Sequence, residues 1–375
     1  MANVHSYNEE QRLKDMKKVR QICADELPEY CTGFFRSLET RTTPKTLVGY
    51  AYDLSVFFRF LKNESKFDLS NDYPTLKEIE DLKLLDFEDY IDYLRYHKFD
   101  SYKDQDIDNK SENNKKNINN EKINSETTIK RKLSSIKSFY SYLYKNELIE
   151  KDITTKIVMP KLREKTITRL EVDEVVKLLD YVENGDENLS NRQKEFHNKT
   201  KLRDSALLSL LLATGMRVSE CVGIDINDID FDECQIRIIR KGQKESFIYF
   251  SEEVKDIMLK YLEERKQIIT EDNSNAFFLS LQNKRISVRS VEILVKKYAS
   301  KITPLKHITP HKLRSTYGTN LYKETGDIYL VADVLGHSDV NTTKKHYAAI
   351  DIDRKRAARN IVKLRENDNK ENNDD

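Results

Sequence analysis

Residues 311–347 read HKLRSTYGTNLYKETGDIYLVADVLGHSDVNTTKKHY, and this segment is the most informative part of the sequence. Its first part predicts a helix with clear ends, because Thr309 is a suitable N-cap, Pro310 suits the first helical position and Gly326 can end the helix in a left-handed conformation. A second short helix, DIYLVADVL, follows and ends at Gly336. The sequence therefore predicts short helices whose ends are fixed by glycine and proline.

Four side chains able to bind phosphate or to move a proton lie along these helices. His311 and Arg314 are three residues apart, so they share one helix face. His337 directly follows the glycine that ends the second helix, and Tyr347 lies nearly two turns into a third helix that Asn341 is placed to cap. Taken singly these residues say little, since a lone histidine is more often structural and the chain has 20 tyrosines. Their order along the chain carries the information.

The ordered motifs H-x-x-R, L-G-H-S-D and T-T-x-x-x-Y resemble the C-terminal signature of the tyrosine recombinase (phage integrase) family. The resemblance implies a further arginine in a string like T-G-x-R-x-x-E, and a lysine at a β-hairpin turn. Residues 213–220 read ATGMRVSE and supply Arg217 and Glu220. Residues 236–250 read IRIIRKGQKESFIYF and supply Lys241 directly before a glycine. All six catalytic positions of the family signature are therefore present in the expected order.

The resemblance also implies a role for each of these residues. Tyr347 is the nucleophile, which forms a 3′-phosphotyrosyl link and leaves a free 5′-hydroxyl, and Lys241 is the general acid for that leaving oxygen. Arg217 and Arg314 suit a phosphodiester because guanidinium groups bind phosphate through two parallel hydrogen bonds and keep their charge. Two histidines, His311 and His337, bind the phosphate or transfer the tyrosine proton. The carboxylate of Glu220 orients the site.

The chemistry implied by the resemblance needs no cofactor, ATP or metal ion. The sequence has neither a G-x-x-x-x-G-K-[ST] loop nor a metal-ligand cluster, in agreement with that expectation. The alternatives are a non-catalytic DNA-binding protein with a recombinase fold, a type-IB-like topoisomerase and a metal-dependent nuclease. The complete six-residue set argues against the first, and the lack of a carboxylate cluster argues against the nuclease.

The overall charge of the chain gives a mixed indication about nucleic acid. The formal net charge is only +1, whereas a nucleic-acid binder is usually basic. The distribution matters more than the sum, because residues 366–375 are acidic and the basic residues form separate clusters. These clusters favour a DNA-facing surface. The residues expected to contact DNA are Lys130, Arg131, Lys137, Arg240, Lys244, Lys312 and Lys344.

The sequence also predicts the domain organisation. Residues 20–150 predict an all-α domain that resembles the core-binding (SAM-like) domain of the recombinases, interrupted at 98–125 by a polar insert expected to be disordered. Residues 151–168 are expected to form a linker, 169–365 the catalytic domain, and 366–375 a disordered acidic tail.

The predicted fold class is mainly α with a small β-hairpin or sheet in the catalytic domain. The resemblance implies that the two domains form a clamp around DNA. Apolar residues at helical or alternating spacing mark the elements. The predicted helices cover 75–97, 171–182, 203–214, 252–267 and 287–300, and the predicted strands cover 235–240 and 245–250.

The expected partners follow from the resemblance. They are double-stranded DNA with specific recombination sites and further copies of the chain in a tetramer on that DNA, with a related recombinase or an accessory factor as a further candidate. The biological setting is open between chromosome dimer resolution, as in the Xer branch, and integration or excision of mobile DNA. The ten residues from His337 to Tyr347 resemble the integrase spacing more than the Xer spacing.

The expected location is the cytoplasm, without a membrane partner. No run of 18 apolar residues is present, and the first residues, MANVHSYNEEQRLKDMKK, are charged and lack an apolar core. The four cysteines form no C-x-x-C pair, so reduced thiols are expected.

Overall fold

A computed structural model describes residues 7–63, 73–96, 124–161, 168–185, 190–240, 245–268, 275–336 and 340. The chain divides into two compact units, 1–164 and 165–375. Both units are mainly helical, and a small sheet lies in the second. The fold class predicted from the sequence is therefore confirmed. None of the helices in the described ranges combines the length and the apolar character that a membrane span needs.

The first unit is helical throughout its described residues. Its core is one cluster of buried apolar side chains, with Phe57 and Phe58 packed near Phe139 and Tyr140. The elements are α1 (Tyr7–Glu26), α2 (Cys31–Leu38), α3 (Pro44–Asn63), α4 (Leu76–Glu80), α5 (Leu84–Tyr96), α6 (Glu126–Lys145) and a 3-10 helix (Ile153–Lys156).

Three features of the first unit differ from the sequence-based picture. The single helix predicted over 75–97 is wrong, because the chain turns between α4 and α5 so that Leu82 is buried in the core. The all-α domain predicted to begin at residue 20 includes the earlier helix α1, whose Val19 and Ile22 belong to the same core. The described part of the predicted linker, 151–161, also packs on this core through Ile157.

The predicted polar insert lies largely outside the described residues. Its last two residues are described, and they are well anchored. Ser125 is the N-cap of α6 and accepts a hydrogen bond from the Thr128 backbone N–H. Asn124 Nδ2 donates to the carbonyl of Leu94 at 2.8 Å, near the end of α5. The chain therefore leaves α5 and enters α6 at neighbouring points.

The second unit is built around α8 (Asn191–Thr214), which packs mainly against α7 (Val172–Asn184), α10 (Glu252–Lys266) and α12 (Pro310–Thr325) and also contacts α9 (Val218–Gly223). The apolar run ALLSLL of α8, residues 206–211, is fully buried. The helices are α7 (Val172–Asn184), α8 (Asn191–Thr214), α9 (Val218–Gly223), α10 (Glu252–Lys266), α11 (Val288–Ile302), α12 (Pro310–Thr325) and α13 (Ile328–Leu335), with a 3-10 helix at Ile226–Asp228.

A three-stranded antiparallel sheet completes the second unit. Its strands are β1 (Ile229–Asp230), β2 (Gln235–Ile239) and β3 (Glu245–Tyr249), in the order β1-β2-β3. The predicted hairpin is present with strands one residue shorter than expected, and its turn, 241–244, lies outside the described residues. Helix α8 begins at Asn191 rather than at residue 203. Its extra turns start at a capping box in which Ser190 and Gln193 exchange hydrogen bonds.

Candidate active site

The end of α8 and the start of α9 place the first arginine of the candidate site. Gly215 ends α8 in a left-handed conformation with φ +61°, and Arg217 occupies the extended N-cap position of α9. Glu220 accepts hydrogen bonds from the Arg217 backbone N–H at 2.7 Å and from Arg217 Nη1 at 2.8 Å. The Glu220 side chain is only 8% exposed, so its charge lies close to the guanidinium with little water around it. Arg217 is thereby fixed at the start of its own helix.

The second arginine ties three helices together. Arg314 lies on α12 and is 6% exposed. Its Nη1 donates to the carbonyl of Gly215 at 2.7 Å, and its Nη2 donates to the carbonyl of Leu335. A Cβ at Gly215 would lie 2.4 Å from Cδ1 of Tyr317 on α12. Glycine is therefore needed at this turn both for its left-handed conformation and for the close approach of α12.

The C-terminal end of α13 is the point where the arginines meet. Arg217 Nη2 donates to the carbonyl of Gly336 at 2.9 Å. Arg240, which directly follows β2, donates to the carbonyls of Val334 and Asp333 at 3.2 and 3.4 Å. With the bond from Arg314, four consecutive carbonyl groups each accept an arginine N–H. The last carbonyls of a helix lack regular intrahelical partners and carry partial negative charge, so this end can hold three cationic groups together.

The helix ends predicted around the second arginine are largely correct. Pro310 is the first residue of α12, and Gly326 and Gly336 end α12 and α13 in left-handed conformations. Thr309 occupies the N-cap position, but its side chain makes no capping hydrogen bond. His311 is exposed on the first turn of α12, one turn before the buried Arg314.

Several predicted site residues lie outside the described ranges: Lys241, Lys244, His337, Lys344 and Tyr347. The described part of the site brings the two arginines, Arg217 and Arg314, to one helix end. Within the described ranges, no group of three or more histidine, cysteine, aspartate or glutamate side chains is placed to hold a metal ion.

In the first unit, a buried carboxylate organises the predicted DNA-contacting face of α6. Asp53 on α3 is fully buried and accepts hydrogen bonds from Arg131 Nη1, Lys132 Nζ and Ser135 Oγ at 2.5, 3.3 and 2.7 Å. Burial lowers the pKa of the Lys132 ammonium, an effect that the nearby Asp53 carboxylate opposes. The Arg131 side chain remains 52% exposed. Arg131 is therefore held by Asp53 and still presents a large part of its surface to solvent.

Other predicted DNA-contacting residues are partly exposed in the described ranges. Lys130 and Lys137 are half-buried on α6, and Lys312 is half-buried on α12. Arg240 differs, because its guanidinium contacts the backbone at the end of α13. Sequence reasoning missed this contact and the role of the α13 carbonyls. Backbone carbonyls cannot be recognised from side-chain types. The sequence feature that marks them is the glycine that ends each of the two helices, Gly215 after α8 and Gly336 after α13.

Comparison with known proteins was made against a family model, curated relatives and solved structures. The model of the phage integrase family matches residues 106–354, about two thirds of the chain. The chain belongs to the phage integrase family. The family predicted from the ordered motifs is thus confirmed.

Two relatives span most of the chain. This chain is 34% identical over 340 residues to the tyrosine recombinase XerC of Caldanaerobacter subterraneus subsp. tengcongensis, and the match covers 89% of this chain and 86% of the relative. It is 31% identical over 375 residues to the tyrosine recombinase XerS of Lactococcus lactis subsp. lactis, covering 94% of this chain and 99% of the relative.

Two solved structures share the fold. The XerH site-specific recombinase bound to its difH substrate aligns with a TM-score of 0.61 and 20% identity, covering 93% of this chain and 89% of that chain. The Tn1549 transposon integrase in complex with circular intermediate DNA aligns with a TM-score of 0.58 and 19% identity, covering 88% of this chain and 98% of that chain.

Proposed function

We propose that this family member is a site-specific DNA recombinase that cuts and rejoins double-stranded DNA through a 3′-phosphotyrosyl intermediate. The observation that carries the proposal is the meeting of Arg217 and Arg314 at the C-terminal end of α13. Two guanidinium groups held at one point suit the non-bridging oxygens of a single phosphodiester. The chain continues from this point to His337 and, ten residues later, to Tyr347.

The proposed cleavage step is a displacement at phosphorus. The Tyr347 phenolic oxygen attacks the phosphorus atom, its proton passes to a neighbouring base, and the bond from phosphorus to the 5′-oxygen breaks. Lys241 gives a proton to that leaving oxygen, so the products are a 3′-phosphotyrosyl link and a free 5′-hydroxyl. Arg217 and Arg314 stabilise the charge that grows on the non-bridging oxygens during the attack. Attack by a 5′-hydroxyl from a second strand reverses these events and releases the tyrosine.

The arginines are oriented before DNA binds in this proposal. Glu220 fixes Arg217 through two hydrogen bonds, and Gly215 and Leu335 accept from Arg314. A site built in this way needs little reorganisation when a phosphate enters it. His311, exposed on the first turn of α12, and His337 would bind the phosphate or take up the tyrosine proton.

The energy source of the reaction is the phosphodiester itself. Exchange of one phosphate ester for a phosphotyrosyl ester breaks one ester bond and forms another, so in this proposal strand transfer requires no ATP, and the two arginines take the place of a metal ion. We expect activity in the presence of a chelator and without nucleotide.

The proposed assembly is a tetramer on two DNA sites, with a related recombinase or an accessory factor as a further candidate partner. The stretch AAIDIDRKRAARNIVKLREN after Tyr347 would contact the neighbouring copy. The two units would clamp DNA in the cytoplasm. Support for DNA as the partner comes from the XerH and Tn1549 structures, which contain recombination-site or transposon DNA.

The experiment that tests the function uses a supercoiled plasmid carrying two copies of the DNA site recovered from covalent complexes. We expect inversion or deletion of the segment between the two sites, and no change in a plasmid whose sites are scrambled. Relaxation of the scrambled plasmid without exchange would instead identify a type-IB topoisomerase. The genomic position of the recovered site then assigns the setting, since a single chromosomal site indicates dimer resolution and element ends indicate mobile DNA.

A further inference from the structure

We propose that Arg240 is a positioning residue of the candidate active site, which fastens the end of β2 to the C-terminal end of α13 and makes no contact with DNA. The inference rests on the proposed recombinase function. It departs from the sequence-based expectation, in which Arg240 is one of several arginines and lysines that bind DNA phosphates.

The contact joins two parts of the second unit that are far apart in sequence. Arg240 lies 94 residues before Val334 and 93 before Asp333, and its guanidinium donates to both carbonyls. Its Nε is also buried, and it has no hydrogen-bond partner within the described ranges. The half-buried Arg240 side chain is therefore held against the end of α13 through its guanidinium.

A glycine makes this close approach feasible. A Cβ at Gly336 would lie 2.4 Å from Arg240 Nη1, 2.7 Å from Cζ and 3.0 Å from Nε. The guanidinium therefore lies against the Gly336 backbone over most of its plane. Gly336 has φ +62°, so two separate requirements favour glycine here: the left-handed end of α13 and the space taken by Arg240.

Arg240 binds the same helix end as the two arginines of the site. The carbonyls it binds directly precede those that bind Arg314 and Arg217, at Leu335 and Gly336. Three guanidinium groups repel one another unless nearby negative charge offsets the repulsion. The helix end and the buried Glu220 provide that charge. Arg240 therefore helps to hold the helix end on which the placement of the other two arginines depends.

The chain on either side of this contact leads directly to two predicted catalytic residues. Arg240 is followed by Lys241, and Gly336 is followed by His337. Consecutive Cα atoms are about 3.8 Å apart, so fixing Arg240 on Gly336 restrains where both segments begin. A lysine that must give its proton to one particular oxygen depends on such a restraint. The role proposed for Arg240 is to place the segment that carries the general acid.

The test compares Arg240→Ala and Arg240→Lys with Arg237→Ala in the full-length chain. Arg237 is a matched control, because it lies on β2 three residues before Arg240, is half-exposed and pairs with Asp228 at 2.8 Å. Each variant is given a nicked substrate with an ordinary 5′-oxygen at the cleavage point, and the same substrate with sulfur in place of that oxygen. A thiol leaves as the thiolate, so the sulfur substrate needs no general acid.

The proposal predicts a specific pattern. Arg240→Ala should bind DNA like the wild type and cleave the oxygen substrate about 10²-fold more slowly, the size of a misplaced general acid. It should cleave the sulfur substrate at nearly the wild-type rate. Arg240→Lys should resemble Arg240→Ala, because an ammonium lacks the planar fork that lies flat on a glycine while it donates to two carbonyls. Arg237→Ala should cleave both substrates normally.

Two other patterns would overturn the proposal. Weaker DNA binding with a reduced salt dependence would identify Arg240 as a phosphate contact. Equal losses on both substrates would show that the residue does not act through the general acid. Absence of any covalent complex with the wild type would contradict the proposed function instead.

The contact itself is tested without DNA by thermal unfolding of Gly336→Ala in two backgrounds. The new Cβ should be less destabilising in the Arg240→Ala background, because the guanidinium that it meets has been removed. Equal destabilisation in both backgrounds would contradict the contact on which the proposal depends.

Discussion

At the residue scale, Arg217 begins a helix and also carries one of the positive charges proposed to bind the phosphate. It is the N-cap residue of α9, and its backbone N–H and side chain both donate to Glu220. Its second terminal nitrogen, Nη2, donates to Gly336 at 2.9 Å. The two guanidinium contacts, to Glu220 and to Gly336, orient the plane of the side chain. That plane determines which N–H groups can be presented to a phosphate.

Substitution of Arg217 by lysine should therefore impair chemistry far more than binding. Arg217→Lys keeps the positive charge but cannot donate to Glu220 and Gly336 at once, so we expect cleavage to slow by about 10²- to 10³-fold. DNA affinity should change only a few-fold. Single-turnover cleavage of a nicked substrate measures the rate, and Arg289→Lys, on an exposed residue paired with Glu292, is the control. Equal rates for the two variants would refute the role given to the Arg217 plane.

The side chains proposed to do chemistry could be named from the sequence, whereas the groups that orient them could be named only in part. Arg217, Arg314 and Glu220 are recognisable because their types and spacing are specific. The carbonyls that fix both arginines belong to residues 333–336 and 215, whose side chains play no part in these bonds. Only the folded structure brings these backbone groups to the arginines.

At the element scale, strong local signals decided which helix ends were predictable. Proline and glycine gave the limits of α12 and α13 correctly. The start of α8 was missed because its first turns are polar and lack an apolar stripe, although Ser190 and Gln193 carry a capping-box signal. The break between α4 and α5 has no glycine or proline. It arises because Leu82 is drawn into the core, which is a tertiary effect.

The link between α3 and α6 leads to a prediction about stability. Asp53→Asn removes the buried charge opposite Arg131 and Lys132, so the first unit should lose about 3 kcal/mol of its free energy of unfolding. Chemical denaturation measures this loss. Asp173→Asn, which disrupts an exposed pair with Lys177, should cost less than about 0.5 kcal/mol. Similar losses for the two variants would show that Asp53 contributes no more than a surface ion pair.

The anchoring of the predicted insert leads to a second prediction at this scale. Asn124 bonds to Leu94, and Arg95 lies 3.5 Å from Glu126, so the ends of segment 97–123 lie close together. A linker of about four glycine and serine residues should replace the segment without loss of the fold. Closing a shorter loop should raise the stability of the first unit by about 1 to 2 kcal/mol. A loss of cooperative thermal unfolding would mean that the segment contributes to the core.

At the scale of the whole molecule, the net charge is only +1, so attraction to DNA must come from local clusters of basic residues. Six phosphate contacts would give a slope of about −5 for log affinity against log salt concentration. Lys137→Ala should reduce the magnitude of that slope by about 0.9, and Arg240→Ala should leave it unchanged. Fluorescence anisotropy across a salt series measures both. A nearly flat dependence for the wild type would contradict the predicted DNA-contacting set.

Family and fold class were predictable for the whole chain because the ordered motifs cover positions 217–347 and set the sequence of elements. The division into two units, 1–164 and 165–375, falls within the predicted linker. The part played by 151–161 in the first core was not predictable, because this short stretch has no periodic pattern that distinguishes a packed segment from a connecting one.

The most direct test of the central claim is covalent trapping by the proposed nucleophile. Wild type and Tyr347→Phe are incubated in a chelator with a substrate nicked near the cleavage point, and the products are separated on a denaturing gel. Matching thermal unfolding and DNA affinity of the two proteins serve as controls. We predict a protein–DNA band for the wild type and none for Tyr347→Phe, because the variant lacks only the attacking oxygen. A band of equal strength from Tyr347→Phe would show that another residue attacks the phosphate, and would contradict the account given for this site.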